Sequence, residues 1–286
     1  MTRRLRCLAA TVVFASSLCV PSVLAEDIVL TTQPVPEESC ASGPVSAKPT
    51  RPNFSYSTET TQCGVVEVDY GWTRQWPGAG EHQDFFSSGF RVGITPALDF
   101  RWGADNYISD TTGGTSVSGT GDNWLGARYR FHDQSALTPA LGLVYSVKVP
   151  TASALKGLGS GYVDHAFTLI ASKDFGKYHF DFNAVSTLAD APAGFGNGSV
   201  FSLACSRPFT RRLTVVGESY GGSQPDGGRH ASVLVGTAYS VSPKLVLDSA
   251  IESGVAGSAP RKRLLLGATC AIGHISSLVQ SRAVDH

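Results

Sequence analysis

Five basic side chains stand out by type and spacing: Arg91, Arg101, Arg128, Arg130 and Lys148. Each occupies a polar position in an alternating run, and four consecutive runs supply them. If those polar positions share one water-filled face, the cations form a positive strip that attracts small anions such as aromatic carboxylates or phenolates. Acidic residues occupy the same parity, namely Glu67, Asp69, Asp99, Asp105, Asp164 and Asp181, together with His179. The same groups would equally form a ladder of ion pairs across neighbouring strands, as charges withdrawn from water require. Both readings stand at this level, with Asp164 joining the five cations as a candidate lining residue.

Other combinations point weakly to chemistry. The Gly157–Gly161 run has the glycines of a phosphate loop but lacks the following Lys-Ser/Thr and opens no helix, so it reads as an outward loop. Asp164 and His165 are adjacent in a strand and therefore face opposite ways, which rules them out as an acid–base pair. His274 and Ser276 lie two apart near the C-terminus, the spacing of some lipid hydrolases, but no third member accompanies them. No catalytic residue, metal cluster or cofactor motif is expected.

The elements that must position the charges are strands. Over residues 121–183, Leu125, Ala127, Tyr129 and Phe131 alternate with Trp124, Gly126, Arg128 and Arg130. Leu141, Leu143, Tyr145, Val147 and Val149 then oppose Ala140, Gly142, Val144, Ser146 and Lys148. Val163, His165, Phe167, Leu169 and Ala171 oppose Asp164, Ala166, Thr168, Ile170 and Ser172, and Tyr178, Phe180, Phe182 and Ala184 oppose His179, Asp181 and Asn183. Period two marks strands whose faces meet different surroundings. Similar runs start at Gly64, giving twelve strands by about residue 272. Residues 106–120 read as a polar loop, and 188–198 as a Gly/Ala-rich one. Connections are longer after odd strands and shorter after even ones, as in an up-and-down barrel with short periplasmic turns. Trp76, Tyr107, Tyr129, Tyr178 and Tyr239 sit near strand ends, where interfacial girdles form.

The ends of the chain place it outside the cytoplasm. Arg3, Arg4 and Arg6 precede an apolar run from Cys7 to Val20, and Val23-Leu24-Ala25 offers a cleavage site, so residues 1–25 read as a signal peptide. This stretch holds three of the 23 basic residues and none of the 23 acidic ones, leaving a net charge of −3 that argues against nucleic acid. Charged residues make up 16% of the chain, below the quarter usual for a water-exposed surface. No later stretch reaches the roughly 18–20 consecutive apolar residues of a transmembrane helix, so a membrane fold here requires a closed barrel. Export makes a Cys40–Cys63 bridge plausible, while Cys205 and Cys270 read as small apolar fillers in strands.

Gly121-Asp122 with Gly126 and Arg128, Pro139-Ala140-Leu141, Lys148-Val149-Pro150-Thr151, Gly157 to Gly161 with Asp164, and Ser172-Lys173 before His179–Asn183 resemble the MetA-pathway phenol-degradation family of outer-membrane barrels. The resemblance implies an outer-membrane transporter or channel, linked by name to aromatic compounds, with no catalytic residues to carry over. Such barrels usually finish on an aromatic residue read by the barrel-assembly machinery, whereas this chain continues past Ile272 to His286.

The expected organisation is all-β: a single antiparallel transmembrane barrel of about twelve strands over residues 64–273. A Pro/Ser/Thr-rich leader or plug (26–63) precedes it and a tail (274–286) follows. Expected partners are outer-membrane lipid, the assembly machinery and a small solute, with no cofactor. The alternatives are a barrel without transport, a lipid hydrolase and a secreted soluble β protein.

Overall fold

The computed structural model describes Cys40, residues 43–190, Gly194 and residues 196–275. The expected signal peptide, the expected leader ahead of Cys40 and Ser276 lie outside the described residues.

Thirteen strands form one antiparallel sheet. They are β1 (Val65–Trp76), β2 (His82–Thr95), β3 (Leu98–Thr112), β4 (Thr115–Gly119), β5 (Asn123–His132), β6 (Ala140–Val149), β7 (Asp164–Phe175), β8 (Tyr178–Ala189), β9 (Gly196–Pro208), β10 (Leu213–Ser223), β11 (Arg229–Ser242), β12 (Leu245–Gly257) and β13 (Lys262–His274). β1 pairs with β13 from Val65 opposite His274 to Trp76 opposite Lys262, which closes the sheet on itself. β4 is a short hairpin arm carried by the end of β3, where Thr112 faces Thr115. The result is a closed barrel of twelve strands.

Closure matters because every strand edge then has a partner, the condition for burying backbone N–H and C=O groups in hydrocarbon. Connections 96–97, 133–139, 176–177, 209–212 and 243–244 gather at the end that also holds the start of β1 and the end of β13. Connections 77–81, 120–122, 150–163, 224–228 and 258–261 and the β3–β4 hairpin gather at the other, where β8 ends and β9 begins, here called the loop end. Three boundaries differ from the expectation. Most of the predicted polar loop at 106–120 is the β3–β4 hairpin, because Thr, Ser and Val around Gly113-Gly114 suit a two-residue turn. β8 runs to Ala189 and β9 begins at Gly196, both inside the predicted 188–198 loop, and β13 runs on to His274.

The alternation assigns the faces as expected. Tyr70, Phe86, Phe100, Leu125, Tyr129, Phe167, Phe182, Phe201, Val235, Leu247, Ile251 and Leu266 are exposed on the outside. An apolar belt of this extent would be costly in water and is suited to lipid, which disfavours the soluble alternative. Tyr107 lies towards the loop end, and Tyr129, Tyr178 and Tyr239 towards the turn end, all outward and exposed.

The described part of the leader, residues 43–62, forms no strand and lies inside the barrel. A Cys40–Cys63 disulfide joins its two ends, with 5.1 Å between the Cα atoms. Both cysteines lie beside the carbonyl of Ile94, at the turn end of β2. Between them the chain makes one circuit of the inner wall. Lys48 meets β1, Arg51 meets β12 and β13, Ser55 meets β10 and β9, Tyr56 meets β8, Thr58 meets β7 and Thr61 meets β3.

Candidate functional site: the barrel interior

A segment rich in Ser, Thr, Asn and Pro has no ladder to satisfy its backbone. Inside a barrel it must borrow partners from the wall. The wall supplies them mostly as carboxyl and guanidinium groups, which in their charged forms make stronger hydrogen bonds than neutral groups. Glu67 accepts the Lys48 N–H at 2.7 Å. Glu218 accepts the N–H groups of Phe54 and Ser55, both at 2.7 Å. Asn183 accepts the Tyr56 N–H at 2.7 Å and donates to the Tyr56 carbonyl at 2.8 Å. Asp99 accepts the Thr61 N–H at 2.9 Å. Cations hold the carbonyls: Arg91 donates to Lys48 O at 2.8 Å and Arg128 to Ser57 O at 2.9 Å.

Small residues make room where the segment approaches most closely. Gly71 and Gly267 face each other across β1 and β13. A Cβ on Gly71 would come within 2.5 Å of the Arg51 guanidinium, and one on Gly267 within 2.4 Å of Arg51 Nε. Arg51 fills this notch, with Nε 3.4 Å from Asp248 and Nη2 donating to Leu266 O at 3.2 Å. Gly93 does the same for the returning limb, where a Cβ would collide with Gln62 O at 2.2 Å.

All six residues singled out from the sequence belong to inward-facing positions, but they divide into three groups. Arg91 and Arg101 are directly opposed on β2 and β3. Like charges so placed repel unless acids intervene, and here acids do. Arg91 reaches Glu67 at 2.9 Å and Asp69 at 3.0 Å. Arg128 is bonded to Asp99, and Arg101 lies 3.6 Å from the same carboxylate. Arg128, Glu67 and Asp99 are all 0% exposed. Arg130 sits apart at the turn end, paired with Asp133 at 2.8 Å and donating to Pro96 O. Lys148 and Asp164 pair at the loop end, where Lys148 also donates to Ser160 at 2.7 Å and lies 3.7 Å from Asp122. Asp122 in turn accepts the N–H groups of Thr151 and Ala152, so this group ties down the long 150–163 loop. The interior charges thus pair with one another and also bind the inner segment, a role that strand parity alone does not reveal.

Sequence reasoning missed the opposite wall. Glu218, Asp248, Glu252 and Arg263 also face inward, and Arg263 reaches Glu252 at 2.8 Å. Their neighbours hid them, because the inward positions of β10 to β13 include Val216, Tyr220, Leu234, Ala250 and Leu265. With apolar residues on both faces, alternation disappears. Those inward residues are apolar for a reason: Tyr220 stacks on Phe54 of the segment with ring centres 4.6 Å apart. Their one readable signal is the acids set in apolar strands, Glu218 in β10 and Asp248 and Glu252 in β12, since a charge in an apolar strand needs a partner.

Two cavities flank the segment. One of about 720 Å³ extends to Ser223–Pro225 near the loop end and is lined by Arg91, Arg101, Trp124 and Asn183. The other, about 370 Å³, extends to Pro208 and Ser240 near the turn end and is lined by Arg128, His179 and Asp181. Thr50, Arg51 and Asn53 line both and form the partition. Among the described residues no group of His, Cys, Asp and Glu is arranged to hold a metal.

The family model described as Putative MetA-pathway of phenol degradation matches residues 51–268, from the inner segment to the last strand. The chain belongs to this family. No curated protein sequence matches it. Among solved structures, the family member is similar to the COG4313 outer membrane channel from Pseudomonas putida F1, at 14% identity over 77% of this chain and 100% of that one, with a TM-score of 0.61. It is also similar to a KdgM porin in complex with disordered oligogalacturonate, at 9% identity over 71% and 98% of the two chains, with a TM-score of 0.52. At such identities the likeness is one of fold, that of bacterial outer-membrane channels and porins.

Proposed function

We propose that this family member is an outer-membrane channel for small solutes, held closed at rest by residues 43–62. One observation carries the reading. Two cavities reach towards opposite ends of a single closed barrel and are parted only by a short stretch around Thr50–Asn53. Twelve strands enclose more space than the eight-stranded barrels whose side chains fill the interior. Here the extra space goes to a segment held by hydrogen bonds and ion pairs. Polar contacts of this kind exchange for water when the segment moves, whereas a packed apolar core would not release it so readily.

Arg91, Arg101, Arg128, Arg130, Lys148 and Asp164 serve in this reading as lining groups that position solute and segment. The mixture of signs favours a passive path for small molecules, anionic or aromatic ones among them. The chain is read as a channel, not an enzyme. Lipid surrounds the apolar belt, and the assembly machinery inserts the barrel.

Conductance across a planar bilayer tests the proposal. The wild-type chain should show small or infrequent openings, and a variant lacking residues 44–61 should conduct steadily. A barrel that stays closed after this deletion would indicate a structural protein without transport.

A further inference from the structure

We propose that the wall of the larger cavity around Arg101 and Tyr56 is a binding site for a small organic carboxylate with a flat apolar body. This deepens the channel reading by naming the class of solute. Three cations line the cavity, Arg51, Arg91 and Arg101, against one carboxylate, Asp69. Arg91 is fully engaged, using Nε, Nη1 and Nη2 on Asp69, Lys48 O and Glu67. Arg51 donates to Leu266 O and pairs with Asp248 at 3.4 Å, although its Nε makes no hydrogen bond among the described residues.

Arg101 differs. Among the described residues its acidic neighbour is Asp99 at 3.6 Å, beyond hydrogen-bond range. Arg128 and the Thr61 N–H both engage the other oxygen of that carboxylate, Oδ2, and hold it in place while Oδ1 stays short of a hydrogen bond to Arg101. Nε and Nη2 of Arg101 have no hydrogen-bond partner among the described residues, although the residue is only 9% exposed. A guanidinium withdrawn from water with an incomplete partner set gains most from a new anion, and its planar fork suits the two oxygens of a carboxylate.

The surroundings define the rest of the ligand. The Arg101 guanidinium lies over the Tyr56 ring at 4.6 Å from its centre. Phe54 and Trp124 add flat apolar surface to the same cavity, and Asn53 and Asn183 add amide groups. A volume of about 720 Å³ falls in the range of sites that enclose one small organic ligand. Tyr56, Phe54 and Asn53 all belong to the segment that closes the barrel, so the binding site and the closure share residues.

Tryptophan fluorescence of the full chain in detergent tests the site, with benzoate as the probe and benzyl alcohol as its neutral counterpart. Trp124 lines the cavity and reports on it directly. Benzoate should quench saturably and benzyl alcohol far less. Arg101→Gln should weaken benzoate binding about tenfold or more, the loss expected for a charge-assisted contact. Arg207→Gln, on the outer face of β9, should bind as the wild type does. If Arg101→Gln does not fold, as judged by heat-modifiable gel migration, Arg101→Lys keeps the charge without the fork and should still weaken binding severalfold. Absence of saturable quenching, equal quenching by the alcohol, or unchanged affinity in the Arg101 variants would overturn the site. Binding in detergent requires no transport, so wild-type binding together with no solute flux in liposomes even for the variant lacking residues 44–61 would sink the channel reading alone. Flux without binding would sink this one alone.

Discussion

Glu218 in the middle of β10 grips Ser55 twice, accepting both its backbone N–H and its hydroxyl on one carboxylate oxygen. The other oxygen takes the Phe54 N–H at 2.7 Å. Glu218 is only 5% exposed and forms no salt bridge among the described residues. A buried carboxylate without a cation must be satisfied by donors, and here the donors are the backbone of a segment that is not part of the barrel wall. The segment and the wall therefore complete each other's hydrogen bonding.

Replacing Glu218 with Ala should loosen this grip. Each hydrogen bond to a charged group is worth about 1.5–3 kcal/mol, so losing the set shifts the segment appreciably towards release. The expected outcome is more frequent opening in single-channel recordings, with Glu218→Gln intermediate because its amide oxygen still accepts. Recordings indistinguishable from wild type would show that this contact does not hold the closed state.

Asp99 is the hinge of the charged wall, since it serves Arg128, Arg101 and the Thr61 N–H together. Asp99→Asn leaves Arg128 buried without a counter-charge, a loss of about 3–5 kcal/mol in comparable cases. The temperature at which the barrel loses its compact gel migration should fall markedly. Adding Arg128→Met should recover much of the loss, because no uncompensated charge at that position remains buried.

The notch at Gly71 predicts a steric effect. Gly71→Val would place carbon where the Arg51 guanidinium now lies, and Arg51 would have to leave Asp248. Hydrogen–deuterium exchange followed by mass spectrometry should then show faster exchange over residues 51–56, with the strands protected as before. Unchanged protection there would mean that Arg51 relocates without disturbing the segment.

The disulfide turns the segment into a closed loop with a sequence separation of 23 between its cysteines. A link of that span is worth about 3 kcal/mol in a chain-entropy estimate. Its effect should fall on the segment, because the barrel has its own closure through β1 and β13. Reduction, or the Cys40→Ser/Cys63→Ser pair, is expected to raise exchange across residues 43–62 and leave heat-modifiability nearly unchanged. Collapse of the barrel on reduction would contradict this division.

What the sequence determined by itself is the barrel and its inside and outside faces up to β8. Period-two alternation needs only local chemistry: Leu125 and Tyr129 must meet lipid if Arg128 and Arg130 are to meet water. Export to an oxidising compartment made a Cys40–Cys63 bridge one to expect without deciding it, and the structure forms it. The tertiary structure decided what occupies the lumen. Nothing in the Ser/Thr/Pro pattern of residues 43–62 specifies a circuit of the inner wall, because its partners lie as far away in sequence as Glu218 and Asp248. Nor does parity distinguish a charge that faces water from one that binds a backbone, and Asp99, Arg91 and Arg128 do the latter. Alternation records which way a side chain points. What it meets there depends on every other strand arriving, and only closure of the barrel brings them together.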